Sequence, residues 1–324
     1  MNIFLTGGAG YIGSATAVTL LEAGHQVTVF DSLVTGHRAA VPEGANFAEA
    51  DLGDHEIVFT TLKAESYDAV MHFAAFAEAG ESMKEPGKYY ENNVHNSMWL
   101  LEACVQAGIK RLVFSSSAAV YASSDELLTE DAPLKPGNPY GQTKLMVEGL
   151  LDWYRQVHGI GYAALRYFNA SGALPERGEA HSPESHLIPL VLQVALDQRP
   201  DVKIFGTDYP TPDGTCIRDY IHLADLVSAH LLALEALEPE SQMIYNVGNG
   251  SGYSVREVVD TARKVTGHEL SAVETERRPG DPPRLVASSE KIRTELGWSP
   301  QHPELEDIIF SAWTWHQSRP RGYE

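Results

Sequence analysis

Apolar residues along this chain come in two alternating textures: short unbroken runs, and longer stretches with helical spacing. Ile3-Phe4-Leu5 is the first run. It stops at Thr6 and a cluster of glycines, after which Ile12, Ala15, Val18, Thr19 and Leu21 fall on or near one helical face. That succession predicts strand, tight turn, helix. The next run, Gln26-Val27-Thr28-Val29-Phe30, ends in Asp31 and opens a polar loop over residues 32–44. Further strands are predicted over 46–50 (ending at Asp51-Leu52), over 68–75, over 111–115 running out into Ser116-Ser117, and over 162–167. Helices are predicted over 89–107, closed by Gly108, and over 140–158, closed by Gly159. Such alternation predicts an α/β fold, a Rossmann-type doubly wound parallel sheet wrapped by helices.

The texture changes after Asn169. Pro, Gly, Glu and His fill residues 174–186, a loop-rich excursion. A helix over 187–197 and a short segment over 203–205 follow. Helical 223–237 and strand-like 243–247 are placed to return to the main sheet, and helices near 255–265, 288–296 and 305–315 finish a smaller mixed lobe. The division expected is residues 1–169 with a return segment 219–248 as one domain, and 170–218 with 249–324 as the other. A ligand cleft belongs between them, above the carboxyl ends of the strands.

Charge and composition narrow the partners. With 324 residues the chain has room for one large α/β domain or two smaller ones. Its 24 basic against 44 acidic side chains leave a net charge of −20. That argues against nucleic acid and anionic membrane, which need basic surface. An anionic small substrate stays open, because a few placed arginines reverse the field locally. Cys104 and Cys216 match no metal spacing, no metal site is expected, and a reducing, cytoplasmic setting is the simple reading. The chain begins in a predicted core strand, so no signal peptide is expected. No stretch approaches the ~20 apolar residues of a membrane span.

Gly8, Gly10 and Gly13 fit G-x-G-x-x-G, and Gly7 adds a wider G-x-x-G-x-x-G reading. Glycines serve here for a turn with positive φ, close backbone approach to a pyrophosphate, and tight helix–strand contact. The pyrophosphate would sit on the helix N-terminus, where free N–H groups and the dipole favour anions. Asp31 stands eighteen residues after Gly13 at the end of the next strand. A carboxylate there accepts both adenosine ribose hydroxyls and repels a 2′-phosphate, so the cofactor expected is NAD rather than NADP.

Tyr140-Gly141-Gln142-Thr143-Lys144 is the second chemical signal. Helical spacing puts Tyr140 and Lys144 one turn apart on one face, and Asn138-Pro139 is a fitting N-cap and first helical residue. A tyrosine, with an ordinary pKa of roughly 10, acts as a base near neutrality only if its phenolate gains about 3–5 kcal/mol of preferential stabilisation. The Lys144 ammonium, the positive helix end and an oxidised nicotinamide all push that way. Ser117, ending the preceding strand, is placed to hydrogen-bond the same substrate oxygen. Base, cationic tuner and hydroxyl around one C–OH are what alcohol oxidation by NAD requires.

With these motifs in order, the chain resembles the extended short-chain dehydrogenase/reductase family, and within it the UDP-glucose 4-epimerases (UDP-galactose 4-epimerases). The likeness spans nearly the whole chain. It runs through Thr6 to Gly13, Phe73-Ala74-Ala75 with Gly80-Glu81-Ser82, Asn92-Asn93-Val94, Ser115-Ser116-Ser117 with Val120-Tyr121, and Arg166-Tyr167-Phe168-Asn169. The most family-specific strings are Ile204-Phe205-Gly206-Thr207-Asp208-Tyr209-Pro210, Arg218-Asp219-Tyr220, and Arg277-Arg278-Pro279-Gly280-Asp281.

The resemblance implies NAD-dependent interconversion of UDP-galactose and UDP-glucose. Tyr140 takes the proton of the sugar 4-OH while C4 gives hydride to tightly held NAD. The 4-keto sugar then turns about its pyrophosphate tether and is reduced on its other face. It implies catalytic roles for Tyr140, Lys144 and Ser117. It implies NAD contacts from Gly7, Gly10, Tyr11, Ile12 and Gly13, from Asp31, Ser32, Asp51 and Leu52, and from Phe73, Ala74, Ala75, Asn92, Ser115 and Phe168, alongside Tyr140 and Lys144. For the UDP-sugar it implies Arg218 and Arg278 as diphosphate clamps, Asp281 at the uridine ribose, Phe205 and Tyr220 at the uracil, and Asn169 at the diphosphate or sugar. Ser117, Tyr140, Tyr167, His186, Leu187, Lys203 and Leu285 complete that set. A homodimer through helices 89–107 and 140–158 is expected by the same analogy, with Trp99, Leu100, Leu150, Leu151 and Trp153 as core or interface.

Three positions depart from the pattern. Ala77 stands where some members have a lysine that reaches the cofactor, a contact here absent or replaced through Glu78 or water. His186 stands where some have asparagine, with two roles open: touching the diphosphate, or capping the helix that begins at Leu187. Leu285 falls at the back of the sugar pocket, where tyrosine would crowd a 2-acetamido group and a small residue would admit it. Leucine is intermediate, so N-acetylated substrates are expected to be at least partly accepted.

Competing readings fit less well. A nucleotide-sugar dehydratase needs a carboxylate pair beside the catalytic hydroxyl, whereas Ser117 is followed by Ala118-Ala119-Val120. A 4-epimerase of UDP-glucuronate or of a UDP-pentose is excluded less firmly. A non-enzymatic dinucleotide sensor would keep the glycine loop without needing Tyr140 or Lys144, and both are present.

Overall fold

The computed structural model describes residues 1–124, 126–278 and 281–324. Its centre is a seven-stranded, wholly parallel sheet. The first six strands in the chain that build it are β1 (Asn2–Thr6), β2 (Gln26–Asp31), β3 (Asn46–Glu49), β4 (Ala69–His72), β5 (Arg111–Ser117) and β6 (Gly161–Tyr167). Beyond them run β7 (Asn169–Ser171), β8 (Val202–Phe205), β9 (Ile217–Arg218), β10 (Tyr220–His222) and β11 (Gln242–Val247), and β11 returns to pair with β6. The sheet order is β11-β6-β5-β4-β1-β2-β3, and it includes the expected return of residues 243–247 to the main sheet. The order reverses direction beside β1, which opens a crevice at the carboxyl ends of β1 and β4.

Period-two alternation sorts the core. Ile3, Leu5, Val27, Val29, Met71 and Val113 pack on one face, with Ala17 and Leu20 of α1 (Tyr11–Glu22). Phe4, Phe30, Val70, Leu112 and Phe114 pack on the other, with Val58 and Leu62 of α2 (His55–Ala64). The sequence pattern does not mark α2. Its core is β-branched, and only Val58 and Leu62, one turn apart, are buried. After the short helices α3 (Ala79–Ser82) and α4 (Pro86–Tyr89), the chain passes through a π-helical turn, Tyr90–His95, into α5 (Asn96–Ala107). The helix expected over 89–107 is therefore interrupted, and Gly108 closes it in the left-handed region. The helix α6 (Pro139–His158) starts as expected: the Asn138 side chain accepts from Gly141 N at 2.8 Å.

The strand expected over 68–75 stops at His72. Its continuation, Phe73 to Ala75, leaves the sheet where the Ala74 backbone crosses Gly7.

Three small sheets surround a second core. They use β7 with β10, β9 between β12 (Tyr253–Ser254) and β14 (Arg284–Leu285), and β8 with β13 (Ala272–Thr275). The helix α7 (Leu187–Ala195) opens this core, which α9 (Val255–Thr266) and α11 (Leu305–Ser318) complete. Two more helices, α8 (Leu223–Ala236) and α10 (Glu290–Leu296), lie against the main sheet, with Leu226, Ala229 and Ile292 in the first core. Segment 203–205, expected only as a short stretch, is the parallel partner of β13. Among the described residues, no helix is long and apolar enough to cross a membrane.

Candidate active site

The turn between β1 and α1 shows which glycine does what. Gly7 takes φ 71°, and a Cβ there would sit 2.5 Å from Ala74 N. A Cβ on Gly13 would sit 2.1 Å from Gly7 O, so helix and turn meet only because both are glycine. Gly10, by contrast, would meet protein only at Gly7 O, 3.3 Å away, and its open face lies on a cavity of about 380 Å³. Gly8 packs on Leu5 and Val29 and does not line the cavity. The operative spacing is therefore Gly7, Gly10, Gly13, the wider of the two readings. No side chain caps α1 and no acidic residue stands in its first turn, which leaves its amides and dipole free for an anion.

Asp31, ending β2, lines the same cavity. Its carboxylate is oriented by Ala9 N at 2.9 Å and Leu33 N at 2.8 Å. Burial pushes its pKa up, and these amide bonds and His37 pull it down. Ser32, Asp51 and Leu52 continue this wall, and Tyr11 and Ile12 flank it at the helix start. Phe73, Ala74, Ala75, Asn92 and Phe168 line the cavity further along. The π-helical turn explains Asn92: its extra residue projects toward the cavity, while Asn93 holds Phe76 through both backbone atoms, at 2.9 and 3.0 Å. The glycine cradle, the uncapped helix and the acidic ribose position together fit a dinucleotide.

The carboxyl end of β5 meets the N-terminus of α6. Lys144 Nζ donates to the Ser115 carbonyl at 2.7 Å and lies 5.9 Å from the centre of the Tyr140 ring. Ser115, Ser117, Tyr140, Lys144 and Tyr167 all line the cavity. Burial raises the Tyr140 phenol, the Ser117 hydroxyl beside it pulls the other way, and the Glu78 charge raises it further. Burial lowers Lys144 to about 7, against the pull of Glu148. Burial and the Glu78 charge therefore oppose the phenolate that Tyr-x-x-x-Lys spacing suggests, and any positive charge placed beside the ring favours it.

Behind Ser116 lies a buried network. Arg166 reaches Glu148 at 2.6 and 2.9 Å, Ser116 Oγ donates to Glu148 at 2.5 Å, and Arg166 also reaches Tyr121 at 2.9 Å. The Tyr121 hydroxyl then donates to Asn246 at 2.7 Å. The Tyr167 and Ser115 hydroxyls share a hydrogen bond. The strings Ser115-Ser116-Ser117 and Arg166-Tyr167 are therefore one fixed platform under the reactive groups.

Of the remaining implied substrate residues, Asn169, His186 and Leu285 line the cavity; Leu187, Lys203, Phe205, Arg218, Tyr220, Arg278 and Asp281 do not. Arg218 pairs with Asp281, and the Arg278 guanidinium lies 3.9 Å from the centre of the Phe205 ring. Pro279 and Gly280, within the same string, lie outside the described residues. Tyr220 is buried. Lys203 is exposed and pairs with Asp201 at 3.0 Å. Leu187 opens α7. Asp219 anchors this region: its buried carboxylate accepts from Asn249, Gly250 and Ala287 amides at 2.9, 3.0 and 3.0 Å.

The departures resolve in part. Ala77 lines the cavity, whereas Glu78 turns to Ser185 Oγ at 2.5 Å. His186 precedes α7, yet its side chain makes no cap bond, and its Nδ1 lies between Glu179 and Glu184. Glu179 and His181 also line the cavity; sequence reasoning missed both, although the Glu-x-His-x-x-Glu-x-His spacing of residues 179–186 was visible.

A family model of the NAD dependent epimerase/dehydratase family matches residues 3–248. The chain belongs to that family. It is 50% identical to the UDP-glucose 4-epimerase of Halalkalibacterium halodurans, over 100% of this chain and 98% of that one. It is 49% identical to the UDP-glucose 4-epimerase of Streptomyces lividans, over 99% and 97%. The crystal structure of UDP-glucose 4-epimerase from Bifidobacterium longum in complex with NAD+ and UDP matches with a TM-score of 0.95 at 33% identity, over 99% of this chain and 100% of that one.

Proposed function

We propose that this protein is an NAD-dependent 4-epimerase that interconverts UDP-galactose and UDP-glucose. The observation that carries the reading is one cavity holding both the dinucleotide cradle, Gly7 to Gly13 with Asp31, and the group Tyr140, Lys144 and Ser117. Full-length identity near 50% to UDP-glucose 4-epimerases supports the same substrate pair.

In this reading Tyr140 Oη takes the proton of the sugar 4-hydroxyl and returns it at the end. Ser117 Oγ holds the same oxygen, and Lys144 supplies positive charge from beneath the phenol while anchored on Ser115 O. An oxidised nicotinamide held by Gly7 to Gly13 and Asp31 would supply the hydride acceptor for C4, the donor for its return and positive charge near the phenol, with no net redox. The chain's part is to hold the nucleotide diphosphate firmly and the sugar loosely, so that the 4-keto sugar presents either face. Arg218, Arg278, Phe205 and Asp281 are assigned to the UDP half. Their pairing with one another supports a clamp that opens around a diphosphate, each arginine exchanging an internal partner for charge-assisted bonds.

The same proposal divides the chain into a dinucleotide domain of residues 1–169 with 219–248, and a UDP-sugar lobe of 170–218 with 249–324. It includes a homodimer through α5 and α6. Leu100 and Leu151 are core, while Trp99 on α5 and Met146, Trp153 and Val157 on α6 are exposed. Two free, buried cysteines support a reducing, cytoplasmic setting. The test is incubation of purified protein with UDP-galactose and no added NAD. Formation of UDP-glucose is expected, and silence even after NAD is added would overturn the substrate assignment.

A further inference from the structure

The loop between β7 and α7 carries a four-residue cluster on the cavity wall, of which only His186 is among the substrate residues the resemblance implies. Glu179, His181, Glu184 and His186 each bring a ligand atom within 4.8 Å of all the others. Glu179 Oε1 lies 3.1 Å from His181 Nδ1 and 2.7 Å from His186 Nδ1, and Glu184 Oε1 lies 2.9 Å from His186 Nδ1. We propose that these four side chains form a binding site for one divalent transition-metal ion of the zinc class.

Donor chemistry comes first. Two imidazoles and two carboxylates are ligands that Zn²⁺ takes readily in four-coordinate, tetrahedral sites. With Zn–N and Zn–O bonds of about 2.0–2.1 Å, tetrahedral donors stand roughly 3.3 Å apart. The spacings here run from 2.7 Å to no more than 4.8 Å, so they bracket that value.

Charge balance points the same way. Both carboxylates are buried, with side chains 6% exposed, and both face the same imidazole nitrogen. Two anions so placed need two positive charges nearby. Two protonated histidines supply them; one divalent ion supplies them equally well and bonds all four groups.

The site is also held in place. The loop is tied at Ala180 O to His37 Nε2 at 2.8 Å, at Gly178 N to the Tyr323 hydroxyl at 3.2 Å, and at Ser185 Oγ to Glu78. Glu184 in turn accepts the amides of Ser185 and His186, each at 2.8 Å. The ion would pin the loop that forms one wall of the cavity, beside Tyr11, whose ring meets the His181 ring edge-on at 6.3 Å. Its role is to position that wall; it takes no part at C4.

The test uses tag-free full-length protein with its own bound dinucleotide, stripped of metal by a chelator, saturated with ZnSO₄ and passed through gel filtration. Elemental analysis is expected to find about one zinc per chain in the wild type and less than a tenth of that in Glu179→Gln and in His181→Ala. Crystals of the zinc-loaded wild type are expected to show an anomalous zinc peak among the four side chains, a readout that needs no variant to fold. Less than a tenth of a zinc per wild-type chain, or an anomalous peak elsewhere only, would overturn the proposal. So would equal zinc in the wild type and both folded variants.

Discussion

Arg166 and Glu148 form a two-pronged ion pair, at 2.6 and 2.9 Å, directly behind the strand end that carries Ser115 to Ser117. Both side chains are at most 5% exposed, so neither charge has water to fall back on. Removing one partner leaves the other buried and unpaired. Arg166→Ala or Glu148→Gln is therefore expected to lower stability by about 3–5 kcal/mol, measured by urea unfolding. An apolar double variant, Arg166→Met with Glu148→Leu, is expected to lose less than either single change. A double variant less stable than both singles would contradict that account.

Tyr140→Phe keeps the ring and removes the proton carrier. Because the phenol is half-buried and faces the cavity beside Ser117, the expected effect falls on turnover rather than on folding or dinucleotide retention. General acid–base groups contribute typically 10²–10⁴-fold, and kcat for UDP-galactose is expected to fall by about that factor. Full activity in this variant would remove Tyr140 from the role assigned to it.

Leu285 tests the sugar pocket. It lines the cavity and packs with Phe168 against Val120, Tyr121 and Leu128. Leu285→Tyr is expected to abolish turnover of UDP-N-acetylgalactosamine and to spare UDP-galactose. Rates measured on both substrates decide it, and equal loss of both would place Leu285 outside that role.

Stability of the metal-free protein should depend on pH in two opposite ways. Burial lowers His72 to about 3 and His222 and His230 to about 4. These folded values lie below the ordinary 6.5, so the unfolded chain binds more protons below that pH. Stability is then lost as pH falls from about 6.5, by about 1.4 kcal/mol per pH unit for each histidine. His186 is raised well above 6.5, with the Glu179 charge as the largest cause. Burial lowers His181, but hydrogen bonding and attraction to Glu179 outweigh it and raise it. Their stabilisation is complete below 6.5 and fades as pH rises through the folded values. Above pH 7 that fade is opposed by Lys144, lowered to about 7, whose burial costs less as pH rises. Urea midpoints are therefore expected to rise between pH 5 and 6.5, and a flat or falling midpoint over that range would contradict this.

Much of the molecule was legible before its structure. Apolar runs and helical periods located the six strands from β1 to β6 and the return of β11, because a buried parallel sheet leaves continuous hydrophobic runs. Helix α2 was not legible: its β-branched core carries only two buried residues, too few to set a period. The π-helical turn at Tyr90–His95 has no periodic signature, yet it places Asn92 on the cavity wall while Asn93 holds the Phe76 backbone. Glycine spacing allowed two readings, and only backbone geometry chose Gly7 over Gly8 for the positive φ. Motif order brought Tyr140, Lys144 and Ser117 to one place. What motif order misses is pairing across long separations, such as Arg218 with Asp281 or Glu148 with Arg166.

The measurement closest to the central claim follows the hydrogen on C4. UDP-galactose labelled with deuterium at C4 is incubated with the enzyme in ordinary water, and the UDP-glucose formed is analysed by mass and NMR. Hydride removed and returned within one closed cavity keeps the label, so the product is expected to carry deuterium at C4 with no exchange into solvent. Product with hydrogen at C4 would mean that the atom leaves as a proton, and would contradict the chemistry assigned to Tyr140, Lys144 and the dinucleotide cradle.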